Sequence, residues 1–253
     1  MSRAIIHWRR VPALAVLTLA FAAPAHAQQA LGTVLRACGA LDANRQLAVQ
    51  ATGGAPAGSV LVASVAGRAD VLGDVRIVDP TLATWDAIGA RRTRAAEKLE
   101  VAQLATRATA TLSAAQSYAV RIASSVPGTE VCFAIVAFAD VASGPGALQS
   151  RAAAGGTSAA PSLTGGAAGD GTTQLLVAAF ALAGDPAGFS AAQAGDVAAS
   201  TCTATATLCL GTVSRTDPGT GALTLGATLG TAVAWSGALA SLDRETLLRD
   251  GFE

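Results

Sequence analysis

Histidine is missing from this chain after residue 27, because the two it has are His7 and His26. A Ser-His-Asp or Cys-His nucleophile needs an imidazole to take its proton, so neither is expected downstream of that point. Zinc sites that include histidine go with them. Charge is sparse as well: 13% of residues are charged, against a usual figure of about 25%. Much of the exposed surface must therefore be Ala, Gly, Ser and Thr. Nucleic-acid binding calls for a basic stripe, and no cluster exceeds Arg91, Arg92 and Arg94. Aromatics are only 4% of the chain, too few for the girdles of an outer-membrane barrel. Beyond the first residues no stretch reaches 18 apolar positions. The longest, Leu175 to Ala183, suits a buried strand rather than a membrane span. Phosphate-cradling loops are missing too: "GDGTTQ" and "GTGALT" lack the third glycine of a dinucleotide fingerprint, and no Gly-Lys-Ser/Thr occurs.

What is present begins with an address. Residues 1–27 combine Arg3, Arg9 and Arg10, an apolar run from Val11 to Ala22, and Ala25-His26-Ala27. That pattern is expected to be a secretory signal peptide. The apolar core is about a dozen residues where a span needs about twenty. Pro12 stands where a twin-arginine signal wants a bulky apolar residue, so general secretion is favoured. Cleavage takes both histidines and reduces 17 basic residues to 14, against 17 acidic, a net charge near −3.

Four cysteines follow: Cys38, Cys132, Cys202 and Cys209. An even number in an exported chain reads as disulfides. Their spacings of 94, 70 and 7 do not form paired C-x-x-C knuckles. Three pairings are possible. Cys202 with Cys209 is preferred, because "STCTATATLCL" reads as two strand ends around a small loop, which leaves Cys38 for Cys132. The alternative makes Cys132 a buried free thiol.

Short strand signals recur, punctuated by Gly, Pro and Asp: "QLAVQAT", "SVLVASVAG", "DVRIVD", "SYAVRIA", "EVCFAIVAF", "QLLVAAFALA" and "AVAWSGALA". In "SYAVRIA", Tyr118, Val120 and Ile122 share a face by a period of two. In the last segment Val233, Trp235 and Leu239 do the same, so Trp235 is expected to point inward. "EVCFAIVAF" and "QLLVAAFALA" are apolar on both faces. Arg91 to Gln116 has helical propensity, yet Leu99, Val101 and Gln103 alternate with Glu100 and Ala102, and a strand is expected over Lys98–Ala105. The expected fold is all-β: a single-domain antiparallel β-sandwich, jelly-roll-like, over 28–242, followed by a C-terminal tail over 243–253.

These strands, in the order "GSVLVASVAGRADVLGDVRIVDPTLATWDAIG", "SYAVRIA", "EVCFAIVAFADVASG", "GTTQLLVAAFALAG" and "TLGTAVAWSGALASL", resemble a group of bacterial exported and cell-surface β-sandwich domains without an assigned common activity. The likeness spans Gly58 to Leu242 and rests on spacing and residue class. It implies that Thr84-Trp85 packs onto the core, although "DPTLA" departs from the group's usual turn. The ending "DRETLLRDGFE" is similar to short "DGFE" tails of exported Gram-negative proteins.

Trp85 sits among acidic and turn residues, so display to a ligand competes with core packing, and core packing is favoured. Asp70, Asp74, Asp79 and Asp86 offer the oxygens that calcium takes, at spacings that match no EF-hand loop; a solvated loop is the preferred reading, and no metal or cofactor is expected. The functional expectation is a secreted, non-catalytic structural or interaction module at the cell envelope or outside the cell, with an unknown protein or glycan partner and no nucleic acid. The first alternative is a carbohydrate- or polymer-binding module. Its mark would be a solvent-facing Trp85 beside Asp79 and Asp86, since sugar sites expose aromatic faces. A carboxylate-dependent glycosidase, needing two carboxyl groups across a cleft, is the last.

Overall fold

The computed structural model describes residues 30–68, 72–81, 83–89, 92–94, 98–139, 148–167, 174–217 and 221–243. The expected signal peptide over 1–27 lies outside them, as does the tail beyond Asp243. The fold is an all-β antiparallel sandwich, as the sequence leads one to expect.

Among the described residues seventeen strands form four sheets. β1 (Ala30–Ala40), β3 (Val60–Arg68), β5 (Asp86–Ala87), β7 (Leu99–Arg107) and β9 (Glu130–Phe138) make a first inner sheet in the order β1-β9-β3-β7-β5, with β6 (Arg92–Arg94) also on β7. β2 (Gln46–Gln50), β4 (Val75–Val78) and β8 (Ser117–Ile122) form an outer sheet, β2-β8-β4. The same plan then recurs. β10 (Leu148–Ser158), β12 (Gln174–Leu182), β14 (Val197–Cys202), β15 (Cys209–Asp217) and β17 (Val233–Asp243) give a second inner sheet, β10-β17-β12-β15-β14. β11 (Ser162–Ala167), β13 (Phe189–Ala191) and β16 (Ala222–Leu229) give a second outer sheet, β11-β16-β13.

Numbered within each half, with β5 and β6 taken as one, both inner sheets run 1-8-3-6-5 and both outer sheets 2-7-4. This is jelly-roll wiring with the fifth strand moved onto the larger sheet, laid down twice. The two inner sheets stack face to face: β3 meets β12, β1 meets β14, and β6 meets β10. Equivalent strands thus exchange places about a pseudo-two-fold axis near β3 and β12.

Alternation along single strands explains the layering. In β3, Leu61, Ala63 and Val65 enter the first sandwich core, whereas Val60, Val62 and Ala66 face the second inner sheet. In β12, Leu176, Ala178, Phe180 and Leu182 fill the second core, whereas Leu175, Val177, Ala179 and Ala181 face back. β9 and β12 therefore read as apolar on both faces because each is covered on both sides. The mid-plane is lined largely by Ala and Val, and such small side chains let the sheets interlock. Gln103 Nε2 donates across it to the Val177 carbonyl at 3.2 Å.

The strand expected over Lys98–Ala105 is β7, which starts one residue later and runs two further. Lys98 occupies the turn before it, with φ of 53°. Aromatic rings sit over glycines in the second unit. A Cβ on Gly211 would come within 2.2 Å of the Phe189 ring, and Gly156, directly opposite Trp235, leaves room for its indole. Phe180 meets Trp235 edge-on at 5.8 Å and Phe189 at 6.5 Å. Trp235 points inward, as its strand pattern implies.

Candidate functional site

The segment from Asp79 to Ile88 is the place where the sequence leaves a choice between ligand display and packing. Its backbone is pinned to β7 on both sides of Asp86: the Thr106 hydroxyl donates to the Thr84 carbonyl at 2.7 Å, and the Ile88 amide to Gln103 O at 2.9 Å. Trp85 packs half-buried against the first core, while Ile88 goes to the mid-plane between the inner sheets. The two therefore fall on opposite faces, as alternation requires. The indole Nε1 of Trp85 is buried without a hydrogen-bond partner.

Asp79, only 4% exposed, follows β4. Its Oδ1 accepts the Thr81 amide at 2.6 Å and the Thr81 hydroxyl, closing a local turn. Tyr118 is fully buried, its hydroxyl also without a partner. Burial first, and then the Asp79 charge, push the Tyr118 phenol up to about 12. Asp86 is exposed on β5. Asp74 Oδ1 is engaged by the Ser124 amide at 3.1 Å and the Ser124 hydroxyl at 2.8 Å. Partial burial works to raise Asp74, but these bonds and Arg76 hold it below the usual carboxylate range. Asp70 lies outside the described residues. Asp74 and Asp79 thus have separate engagements, and among the described residues no three metal-binding side chains come together.

All four cysteines are joined, Cys38 to Cys132 and Cys202 to Cys209, the pairing that their spacing favours. The first links directly opposite residues of β1 and β9, and the second closes the neck of the β14–β15 hairpin. The first lies at the mid-plane and the second in the second core, and the neighbours of the second touch the first. The Thr201 hydroxyl donates to Cys38 Sγ at 3.7 Å, and Cys132 Sγ lies 3.6 Å from Leu208 O. Glu130 accepts from the Thr205 hydroxyl at 3.1 Å and from the Thr207 hydroxyl at 2.6 Å, and Arg68 donates to Thr207 O. The hairpin of the second unit is thereby clasped to the first.

One cluster has no counterpart among the sequence expectations. At the end of the second sandwich, Arg215 Nη2 pairs with Asp217 Oδ2 at 3.0 Å and donates to Thr224 O at 2.6 Å, while its Nη1 donates to Gln193 Oε1 and lies 3.7 Å from Asp196 Oδ1. The Asp196 side chain is 1% exposed, and neither of its oxygens accepts a hydrogen bond. Burial raises the Asp196 carboxyl; Arg215 pulls it back, and Asp217 adds to the rise. Two carboxylates thus share one guanidinium. Arg215 and Asp217 stay partly open to solvent, at 18% and 14%, while Asp196 is covered. Asp196 and Asp217 are twenty-one positions apart, and only the β14–β15 pairing brings them together, so spacing carries no signal of it.

Architecture and site together define a class: a duplicated, disulfide-pinned all-β sandwich whose described aromatic side chains all pack on its cores. No family model matches the chain, and no curated protein or solved structure compared with it matches.

Proposed function

We propose that this chain is a secreted, non-catalytic module with a structural or interaction role at the cell envelope or outside the cell. The observation that carries this reading is where the aromatics lie. Tyr118, Phe133, Phe138, Phe180 and Trp235 are buried, and Trp85 and Phe189 pack half-buried on the cores. The faces that remain among the described residues carry mainly small, polar and charged side chains and no aromatic platform, and they suit contact with a partner. Two disulfides fit an oxidising, extracytoplasmic environment. The signal-peptide pattern of residues 1–27 and the resemblance to exported sandwich domains point the same way.

The test is fractionation of cells that express the full chain with a C-terminal tag, followed by a binding screen of the processed protein against envelope polymers, glycans and envelope proteins. Processed protein outside the cytoplasm, binding without turnover, is expected. Cytoplasmic retention with free thiols, or turnover of a screened polymer, would overturn the reading.

A further inference from the structure

The outer face of the first outer sheet differs in charge from its equivalent in the second unit, and the duplication makes the difference informative. Across β2-β8-β4, Gln46, Arg121 and Arg76 stand directly opposite one another in a single row. Their inward neighbours Leu47, Val120 and Ile77 belong to the first core, so this row points outward. Arg76 and Arg121 are exposed. The next row is Ala48, Ala119 and Val78, a low floor with Val78 43% exposed. Arg121 has no hydrogen-bond or ion-pair partner among the described residues. Asp74 feels Arg76, but its Oδ1 is already taken by Ser124.

Like charges directly opposite in an antiparallel pair destabilise a sheet. The second unit shows that the fold does not need them, because β11, β13 and β16 contain no charged residue. Their outward positions are Ser162, Thr164, Ser190, Thr224 and Thr228. Two guanidinia placed side by side at a cost to the sheet, in a chain with few charges, call for a negative partner.

We propose that this face binds an acidic polysaccharide, its carboxylates held by the Arg76–Arg121 pair and its sugar rings lying on the Ala48, Ala119 and Val78 floor. A guanidinium fork matches a carboxylate in two-point geometry. β2 and β4 are the edges of this sheet, so an extended peptide adding a strand beside β4 would meet Arg76 and leave Arg121, on the central strand β8, unmatched. Its floor lacks the large apolar side chains that anchor a protein in a lipid interface. Gln46 ends the arginine row and Ser117 lies beyond the floor, both with groups that match sugar hydroxyls. The proposal deepens the interaction reading by naming the partner, and it fails separately: a neutral glycan or an envelope protein bound elsewhere would leave that reading standing.

The experiment measures retention of the processed full chain on immobilised polygalacturonate and on the same polymer methyl-esterified, which keeps the backbone and removes the charge. Binding to the free acid that weakens with salt and is absent on the ester is expected. The double variant R76Q/R121Q should weaken it by about tenfold or more, the equivalent of losing charge-assisted hydrogen bonds. The double variant R76K/R121K should recover part of the loss, and T228Q on the second unit should change nothing. Because the arginines repel each other, R76Q/R121Q should melt no lower than wild type, which separates a binding role from a structural one. Equal binding by wild type and R76Q/R121Q, no binding to polygalacturonate, or preferential binding to phosphatidylglycerol vesicles would each overturn the proposal.

Discussion

Tyr118 is the single tyrosine of the chain, so tyrosinate absorbance reports this residue alone. Its phenol is pushed up to about 12 from 10 by burial and by Asp79. A folded-state value above the unfolded one means that the native state keeps a proton the unfolded chain has lost. Stability should therefore fall as pH rises from 10 to about 12, by roughly 3 kcal/mol in all. Denaturant midpoints across that range should show the fall, and Tyr118→Phe should abolish it; an unchanged slope in the variant would assign the alkaline loss to another group. Asp196 follows the same sign for a different reason. Burial raises its carboxyl despite Arg215, so ionisation weakens the fold as pH climbs above 3.8. Asp196→Asn keeps the shape without the charge and should flatten that decline, leaving the variant at least as stable as wild type near neutrality. A sharply less stable variant would show that the Arg215 attraction outweighs desolvation. Packing gives a third case at this scale. A methyl on Gly211 would meet the Phe189 ring at 2.2 Å, and Gly211→Ala should cost about 1–3 kcal/mol through overpacking, read as a lowered melting temperature. Phe189→Leu in the same background should recover part of it.

The two disulfides are elements of unequal leverage. Cys38–Cys132 spans 94 positions and Cys202–Cys209 spans 7. In the chain-entropy view, the first constrains the unfolded state by about 4.7 kcal/mol and the second by about 2.5 kcal/mol. Replacing each pair with alanine should lower the urea midpoint in that order. The order would invert if the hairpin's clasp by Glu130 and Arg68 depended on its closed neck. Strands whose bulky residues alternate were open to sequence reasoning, because a one-sided or two-sided apolar pattern needs large side chains to be seen: β3, β8, β9, β12 and β17 are of this kind. β10, "LQSRAAAGGTS", and β11, "SLTGGA", are not. Gly, Ala, Ser and Thr carry no period, and β10 is a strand because β17 offers it ten registered partners and Trp235 lies over Gly156. Alternation separates Trp85 from Ile88 but does not say which of the two faces the first core, and the Asp196–Arg215–Asp217 cluster depends on a hairpin register that composition does not encode.

At the scale of the whole molecule the duplication governs stability, and it left almost no trace in the sequence. The clearest correspondence is "LVASVAG" in β3 with "LVAAFAL" in β12, in which Leu61, Val62, Ala63, Val65 and Ala66 enter the layers that Leu176, Val177, Ala178, Phe180 and Ala181 enter in the other unit. Small apolar residues recur by chance too readily for such a match to announce itself, and only strand order makes it legible. The consequence is physical. Each unit buries one face of its inner sheet against the other unit, with Val60, Val62, Phe138, Leu175, Val177 and Ala240 among the residues covered. Neither disulfide joins the two units; apolar burial, the Gln103 bond and the Glu130–threonine clasp do. Cleavage at a protease site introduced into residues 140–147 should therefore leave the units together, eluting as one species of unchanged size in native size exclusion and as two chains under denaturing, non-reducing conditions. Mixing in denaturant and refolding should restore the complex, whereas either unit alone should aggregate through its uncovered inner sheet. Separation of the cut halves under native conditions, each remaining folded and monodisperse, would mean that the mid-plane is a contact between independent domains and not a core the two halves share.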